Sequence, residues 1–292
     1  MKPSDYDFLQ KFLHSRSGLV LSSEKQYLVE SRLIPVARRA GLGGLDELVA
    51  KIRMAGSMEL KDDVVEAMTT NETFFFRDKT PFMHFEQEML PTMLKNRASK
   101  RRIRIWSAAA STGQEPYCIA IKLQEARAKT AGFRFEILGT DISKEVLEKA
   151  RTGIYSQFEV QRGLPIQMLL RYFTQLQEIW QIAPEIRAMV QWKQLNLLEN
   201  FVNLGEFDIV FCRNVLIYFD QATKIEILNR IAKQMPDDGY LVLGAAETVV
   251  GLVDSFEPVP NLRGLYRPKR ATQVSVPASS LTGFTPRIRA IG

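Results

Sequence analysis

The chain has 292 residues, of which 46% are hydrophobic and 25% are charged, values that are ordinary for a soluble globular protein. This length suffices for one large domain or two smaller ones with a sizeable core. The two cysteines lie in apolar runs and predict buried, reduced thiols, and the two histidines are too far apart to suggest a metal site. No stretch approaches the roughly 18–20 apolar residues that span a membrane, and the N-terminus lacks the apolar core of a signal peptide, so a cytoplasmic protein is expected.

The net charge of +6 is concentrated in two segments. Lys95–Arg104 holds six basic residues and no acidic one, and the residues from Arg267 onward hold five more basic residues. A basic run can indicate nucleic-acid binding, but no RNA-binding aromatic signature accompanies this one. A solvated linker is the simpler interpretation of Lys95–Arg104, and a docking strip for an acidic partner is the alternative.

The first 90 residues predict an all-helical domain. Apolar residues recur near helical spacing over residues 6–13 and again over 27–33. Ser23 is a plausible N-cap of the second helix, the glycines of AGLGG separate it from a third, and MELKDDVVEAMTTNE ends a fourth.

Residues 91–270 alternate short apolar strands with helices. The strand candidates are RIRIWSA, FRFEILGTD, FDIVFCRNVLIYF and GYLVLGAAE, and helical stretches such as QATKIEILNRIAKQM lie between most of them. This alternation predicts an α/β fold, a doubly wound parallel sheet with helices on both faces. Residues 155–193 break the alternation and predict a small inserted unit of helix and hairpin. Residues 271–292 are rich in Ser, Thr, Pro and Ala and predict a flexible tail.

The stretch RIWSAAASTGQEPYCIA has the layout of a nucleotide-binding strand–loop–helix turn, yet it contains a single glycine, Gly113. A dinucleotide fold needs G-x-G-x-x-G at this place so that the backbone can approach the pyrophosphate. Small residues here allow close approach without a phosphate cradle, and Glu115 near the helix start would repel a phosphate but favour a cation. The loop therefore predicts a weakly negative pocket for a cofactor such as S-adenosylmethionine, whose sulfonium and ammonium groups are positive.

Other polar residues follow strand ends at the same edge of the predicted sheet. Asp141 ends the second strand, where a carboxylate commonly binds ribose hydroxyls; an N-cap role for the next helix is the alternative, and both can hold at once. Asn196 follows a predicted third strand and would offer its amide to an adenine edge. Arg213, Asn214 and Tyr218 lie at or after the end of the fourth strand.

TTNETFFFRD, residues 69–78, stands where the helical part meets the sheet part. Three successive phenylalanines would suit a core, whereas Asn71, Thr73 and Arg77 alternate with Glu72 and the aromatic residues. Polar residues beside apolar anchors at a domain junction suit the lid of a pocket.

Together these motifs resemble those of the CheR-type chemotaxis receptor methyltransferases, which transfer methyl groups from S-adenosylmethionine to receptor glutamates. The matching segments run in family order over about residues 1–268: TTNETFFFRD, RIWSAAASTGQEPYCIA, LGTDIS, ARTGIY, NLLE, FCRNVLIYFD and DDGYLVLGAAE. The resemblance implies an N-terminal helical domain over 1–90, a Rossmann-like methyltransferase domain over 91–270 and a β-subdomain inserted at about 155–193.

The resemblance also implies roles for individual residues. Tyr218 would lie near the transferring methyl as the catalytic residue, and Arg77 would hold the methionine carboxylate, as a guanidinium suits. The implied cofactor contacts are Asn71, Thr73, Arg77, Glu115, Asp141, Asn196, Leu197, Arg213 and Asn214. The implied docking residues for acidic receptor helices are Arg32, Arg38 and Arg39, for which a solvated helix face is the alternative.

Two positions depart from the family pattern. Gln114 stands where the family often has glutamate, which alters little if Glu115 is the contact. The inserted subdomain lacks the glycine-containing loop of members that grip a receptor's C-terminal pentapeptide, so direct recognition of the receptor helices is expected.

The sequence thus predicts a monomeric, cytoplasmic protein-glutamate O-methyltransferase that yields S-adenosylhomocysteine, with no metal, no nucleic-acid partner and no membrane insertion. Methyl transfer to a carboxylate needs no strong base, because glutamate is ionised at neutral pH. A non-catalytic S-adenosylmethionine-binding signalling or scaffold protein is the alternative. A nucleic-acid methyltransferase would carry an Asn/Asp-Pro-Pro-aromatic signature where this chain has RNVLIYF, and a nicotinamide dehydrogenase is excluded by the glycine-poor loop.

Overall fold

The computed structural model describes residues 1–269, so the predicted tail over 271–292 lies outside the described residues. The helices of this part are α1 Pro3–Ser17, α2 Gln26–Arg39, α3 Leu45–Arg53, α4 Met58–Met68, α5 Thr80–His84, α6 Leu90–Asn96, α7 Gln114–Glu125, α8 Lys144–Thr152, α9 Gln157–Gln161, α10 Ile166–Tyr172, α11 Pro184–Arg187 and α12 Gln221–Ala232. The strands are β1 Arg102–Ala108, β2 Arg134–Asp141, β3 Ile154–Ser156, β4 Phe173–Leu176, β5 Ile179–Ile182, β6 Val190–Gln194, β7 Ile209–Cys212, β8 Tyr240–Leu243, β9 Phe256–Pro258 and β10 Leu265–Pro268.

Helices α1 to α4 enclose a core of their own. The apolar residues that recur at helical spacing point inward, and those that are fully shielded from solvent include Leu9, Leu13, Val29 and Leu33. Ser23 is not the side-chain cap that the sequence predicts, because it begins a short 3-10 turn, Ser23–Lys25, that leads into α2. None of the helices described for residues 1–269 is long and apolar enough to cross a membrane.

The main sheet has the order β6-β2-β1-β7-β8-β10-β9. The first five strands are parallel, and β10 pairs antiparallel with both β8 and β9. Successive residues of β7 face opposite sides, so Ile209 and Phe211 join the core that includes α7, while Val210 and Cys212 join the core that includes α12. The predicted doubly wound α/β fold is confirmed, with an antiparallel edge that the sequence pattern did not predict.

The inserted unit is a three-stranded antiparallel sheet of order β3-β5-β4 with α9 and α10 beside it. Strands β4 and β5 form a hairpin with a two-residue turn, in which Gln177 has a left-handed φ of 57°. Residues 190–194 do not belong to this unit, because β6 pairs in parallel with β2 of the main sheet. The predicted end of the insertion at residue 193 is therefore too late.

The boundary predicted at residue 90 also lies too far along the chain. The core of the helical domain draws on residues from Tyr6 to Met68, whereas Phe75, Phe76 and Met93 are buried in the core of the sheet domain. The segment carrying α5 and α6 therefore packs with the sheet.

The basic run Lys95–Arg104 is not a solvated linker, because it forms the end of α6 and the start of β1. Three of its four arginines bind carboxylates of the same chain: Arg97 pairs with Asp208 (2.6 Å) and Asp238 (2.6 Å), and Arg102 and Arg104 pair with Glu136 (2.6 and 3.1 Å). Hydrogen bonding to Asp238 is the main reason that the pKa of Arg97 is raised. These pairs offset the charge of three of the six basic residues, which weakens the case for a nucleic-acid or acidic-partner strip here.

Candidate functional site

A cavity lies at the carboxyl ends of the parallel strands, where doubly wound folds bind their ligands. It encloses about 1040 Å³ of empty space, part of it open to solvent. Every predicted cofactor or catalytic position lines it: Asn71, Thr73, Arg77, Glu115, Asp141, Asn196, Leu197, Arg213, Asn214 and Tyr218.

The loop after β1 is tied to its neighbours by its backbone. Ala109 and Ser111 adopt left-handed φ values of 58° and 50°, and the Ala110 N–H donates to the Thr140 carbonyl over 2.8 Å. A Cβ on Gly113 would lie 2.9 Å from both Ala150 Cβ and a ring carbon of Trp192. The single glycine is therefore required by packing against α8 and β6 as well as by its φ of 93°.

Asp141 is buried at the end of β2, with 5% of its surface exposed. Its carboxylate accepts the Ser111 N–H over 2.8 Å and the Ser143 N–H over 3.0 Å, one at each oxygen, and burial raises its pKa. Each oxygen keeps a further acceptor site for a ligand hydroxyl. The alternative role as the N-cap of α8 is excluded, because the Ser143 hydroxyl oxygen accepts the Val146 N–H there.

Arg213 forms the centre of an ion-pair cluster in the cavity wall. Its side chain is 2% exposed and pairs with Glu115 and Asp78, each over 2.7 Å, and it also donates to the Arg77 carbonyl over 3.0 Å. The Ser107 hydroxyl donates to the other oxygen of Glu115 over 2.7 Å. Glu115 therefore has a cationic partner within the chain. The two carboxylates and one guanidinium leave the cluster with a net charge of about −1, in agreement with a weakly negative pocket.

The segment that carries Arg77 is sharply folded. Phe76, Asp78 and Lys79 have φ values of 53°, 66° and 48°, a left-handed conformation that costs energy in non-glycine residues. Phe76 is buried as core, while Phe74 lines the cavity. One N–H of the Arg77 guanidinium donates to the Glu72 carbonyl over 2.7 Å, which orients the side chain at the cavity.

Asn196 joins the two domains through its side chain. Its amide nitrogen donates to the Arg16 carbonyl at the end of α1 over 2.7 Å, and its amide oxygen accepts the Leu198 N–H over 3.0 Å. The sequence predicts that this amide binds an adenine edge. Asn196 does line the cavity, but both ends of its amide are hydrogen-bonded within the protein.

The helical domain contributes a wall of the cavity that the sequence did not predict. Ser17 and Leu19 line it, and the Val20 N–H donates to the Tyr218 carbonyl over 3.0 Å. A Cβ on Gly18 would lie 2.7 Å from the Phe219 ring, so the chain packs closely here. A glycine just after a helix signals only a helix end, so no sequence pattern pointed to this contact.

The three predicted docking arginines divide into two groups. Arg32 donates to the Met68 and Thr69 carbonyls, each over 2.8 Å, and so binds the end of α4. Arg38 and Arg39 are exposed at the end of α2. The Arg32 guanidinium is thus bonded within its own domain, which favours a structural role for it, while docking by Arg38 and Arg39 stays a prediction.

The cavity fits a nucleoside cofactor that carries no phosphate. A buried carboxylate with spare acceptor sites ends β2, where it suits the hydroxyls of a ribose and would repel a phosphate. The acidic cluster around Arg213 suits a positively charged ligand, and Arg77 supplies a guanidinium for a carboxylate. In residues 1–269, no group of three or more His, Cys, Asp or Glu is placed to hold a metal ion. The fold and the site define an S-adenosylmethionine-dependent methyltransferase.

Comparison with known proteins identifies the family. The family model of the CheR methyltransferase SAM-binding domain matches residues 71–264, and that of the CheR methyltransferase all-alpha domain matches residues 4–69. The chain therefore belongs to the CheR methyltransferase family, and its cofactor is S-adenosylmethionine. The two matches meet at residue 70, where the two cores separate.

Named relatives cover most of the chain. Chemotaxis protein methyltransferase 1 of Pseudomonas aeruginosa is 41% identical over 271 residues, which are 91% of this chain and 98% of that protein. Chemotaxis protein methyltransferase Cher2 of Pseudomonas putida is 40% identical over 259 residues, or 87% of this chain and 94% of that protein. The chemotaxis protein methyltransferase of Salmonella typhimurium is 36% identical over 261 residues, or 87% and 85% of the two chains.

Proposed function

We propose that this protein methylates glutamate side chains on the cytoplasmic helices of chemoreceptors, giving glutamyl methyl esters in chemotaxis adaptation. The names of the relatives support a role in chemotaxis. The observation that carries the choice of acceptor is the composition of the cavity. Among the described residues that line it there is no His, Lys or Cys to remove a proton from an amine or hydroxyl acceptor. A carboxylate acceptor is already ionised at neutral pH and needs no base.

The acidic side chains of the cavity are also committed to other partners. Glu115 pairs with Arg213, and Glu72 pairs with Arg162 over 2.7 Å, a hydrogen bond that lowers the pKa of Glu72. Asp141 faces two backbone N–H groups and keeps its spare acceptor sites for the cofactor. Glu115 and Asp141 are therefore held by other groups, and the pKa of Glu72 is lowered, so each is a weak general base. This favours an acceptor that arrives ionised.

Catalysis then depends on positioning and on the exclusion of water. The bound cofactor supplies an activated methyl group on a sulfonium. Asp141 would accept hydrogen bonds from the ribose hydroxyls, and Arg77 would bind the carboxylate of the methionine part. The cluster of Arg213, Glu115 and Asp78 keeps the wall fixed, while Tyr218 borders the place of transfer.

Helix α2 offers the face that we assign to receptor docking. Tyr27, Ile34 and Arg38 follow one another at helical spacing, and Tyr27 is 71% exposed. With Arg39 they form a mixed apolar and basic surface that suits an acidic amphipathic helix. The two-residue turn between β4 and β5 leaves no glycine-containing loop, which supports recognition without a receptor pentapeptide.

The decisive experiment is incubation with radiolabelled S-adenosylmethionine and chemoreceptor-containing membranes. We expect label on the receptor that is released by base, as a carboxyl methyl ester is. Cofactor binding without transfer would support the sensor or scaffold alternative instead, and base-stable label would exclude glutamate as the acceptor.

The docking face is tested by the double variant Arg38→Glu, Arg39→Glu. Repulsion from an acidic receptor surface should lower kcat/KM for receptor methylation by about tenfold or more, because like charges facing each other at an interface are costly. The dissociation constant for S-adenosylhomocysteine, measured by calorimetry, should stay unchanged. The matched control is Arg127→Glu, Lys129→Glu, which makes the same charge change at an exposed place beyond α7. Equal loss of methylation in both double variants would rule out a specific docking role.

A further inference from the structure

Glu247 lies four residues beyond the end of β8, and its carboxylate collects four backbone N–H groups. One oxygen accepts from Asn214 over 2.8 Å and from Gly244 over 2.7 Å. The other accepts from Val215 over 3.0 Å and from Leu216 over 2.8 Å. Glu247 is 9% exposed, so these charge-assisted bonds are made away from solvent.

Three of these N–H groups come from successive residues of the loop after β7. Successive amides converge in this way when one residue is left-handed, and Asn214 has a φ of 57°. Such a concavity of amides binds anions in many proteins. Here the anion is a side chain of the same protein, carried by the turn that follows the neighbouring strand β8.

The loop that Glu247 holds forms part of the cofactor cavity. Arg213, Asn214, Val215 and Tyr218 all line the cavity, whereas Glu247 does not. The contacts of Glu247 therefore reach the ligand only through this loop.

Gly244 supports the same contact from the other side. A Cβ at this position would lie 2.7 Å from the Asn214 side-chain nitrogen, 2.7 Å from a Glu247 carboxylate oxygen and 3.0 Å from the Asn214 N–H nitrogen. The residues after β7 and after β8 thus pack closely around the carboxylate, without room for a side chain at Gly244.

We infer that Glu247 is a positioning residue for cofactor binding, because its carboxylate fixes the loop from Arg213 to Tyr218 against the end of β8. The inference rests on the cofactor site of the methyltransferase and does not depend on which acceptor is methylated. Its test therefore measures cofactor binding, which can be interpreted even if the protein does not methylate a receptor.

The test is Glu247→Gln in the full chain. The amide keeps the size of the side chain but turns an NH2 group towards two of the four N–H donors. We expect the dissociation constant for S-adenosylhomocysteine and the KM for S-adenosylmethionine to rise by about tenfold or more, because two charge-assisted hydrogen bonds are lost. Glu257→Gln, which makes the same charge change on an exposed residue of β9, should bind like the parent.

A purely structural role would give a different result. It would lower the midpoint of thermal unfolding, while the folded protein, measured well below that midpoint, would keep its affinity. An affinity within twofold of the parent in folded Glu247→Gln overturns the inference. If that variant does not fold, Gly244→Ala disturbs the same contact while keeping the charge. It should raise the dissociation constant in the same direction, and unchanged affinity there overturns the inference as well.

Discussion

Asp141 combines a role in the fold with a place in the cofactor site. Its two oxygens hold the loop after β1 and the turn into α8 through the Ser111 and Ser143 N–H groups. Burial raises its pKa, so the ionised form that the cofactor needs is obtained at some cost to the free protein. The proposed ligand residue is thus also one whose ionised form is disfavoured by burial.

Replacing Asp141 with asparagine should weaken cofactor binding by about 10- to 100-fold, because a hydrogen bond to a charged group is worth about 1.5–3 kcal/mol. Titration calorimetry with S-adenosylhomocysteine measures this loss. Asp254→Asn, at an exposed position, is the matched control. The parent should also lose affinity as the pH falls through the raised pKa of Asp141, earlier than an ordinary aspartate would require, and Asp141→Asn should lack that dependence. Parallel pH profiles in the two proteins would contradict this role.

At this scale the sequence predicted residues that line one cavity, but it did not predict their partners. Asp141 and Arg213 were found because the ends of parallel strands meet at one edge of a sheet. The ion pair of Arg213 with Glu115 joins positions 98 residues apart, and side-chain pairing over that distance is decided by packing. For the same reason the sequence did not predict that Arg32 binds the end of α4.

Helices α1 and α12 meet at Asp220, which lies at the start of α12. Its carboxylate accepts the Thr223 N–H over 2.8 Å as an N-cap and is hydrogen-bonded to His14 of α1 over 2.6 Å. The hydrogen bond from Thr223, and then that from His14, lower the pKa of Asp220 to about 2. One side chain thus caps the start of α12 and connects this helix to the helical domain.

Asp220→Ala should lower the midpoint of unfolding at pH 7, and Asp220→Asn should lower it less, because asparagine is also a good N-cap. The folded pKa of Asp220 lies below its unfolded value. The stabilisation is therefore present above the unfolded pKa, near 4, and is lost as the pH falls towards about 2. Urea unfolding at pH 7, 4 and 3 measures the trend. A penalty for Asp220→Ala that stays constant over this range would contradict it.

Helices and strands with a regular hydrophobic pattern were predicted from the sequence. Elements whose place depends on tertiary packing were not. RIRIWSA coincides with β1, and the pattern of α12 is equally regular. Strands β9 and β10 are three and four residues long, too short for a period to appear. The segment of α5 and α6 reads as helical in the sequence, but periodicity does not reveal which core a helix packs against.

The whole molecule consists of two cores with the cofactor cavity at their junction. Residues from the end of α1, from the 69–77 segment and from the loops of the sheet domain all line this cavity. A ligand that contacts both domains should stabilise their association. The sequence predicted two domains. It did not predict that Ser17 and Leu19 line the cavity, because this depends on how the helical domain packs against the sheet domain.

Saturating S-adenosylhomocysteine should make both domains unfold in one transition at higher temperature. At a ligand concentration of 100 times the dissociation constant, the gain is about 2.7 kcal/mol. Scanning calorimetry measures it, and protease cleavage near residue 70 should slow in parallel. Asp141→Asn, examined at the same ligand concentration, provides the comparison. A ligand that shifts only a sheet-domain transition and leaves the helical domain unaffected would show that α1 adds nothing to binding.

The contact of α1 with the loop that carries Tyr218 has a thermodynamic consequence. A partner that binds the four N-terminal helices and alters how they lie on the sheet also alters one wall of the cofactor cavity. By linkage, the factor by which such a partner changes cofactor affinity equals the factor by which the cofactor changes affinity for the partner. Binding of the methyl donor and binding of the partner are then thermodynamically coupled. Where the donor and S-adenosylhomocysteine differ in this coupling, methyl transfer changes the affinity for the partner.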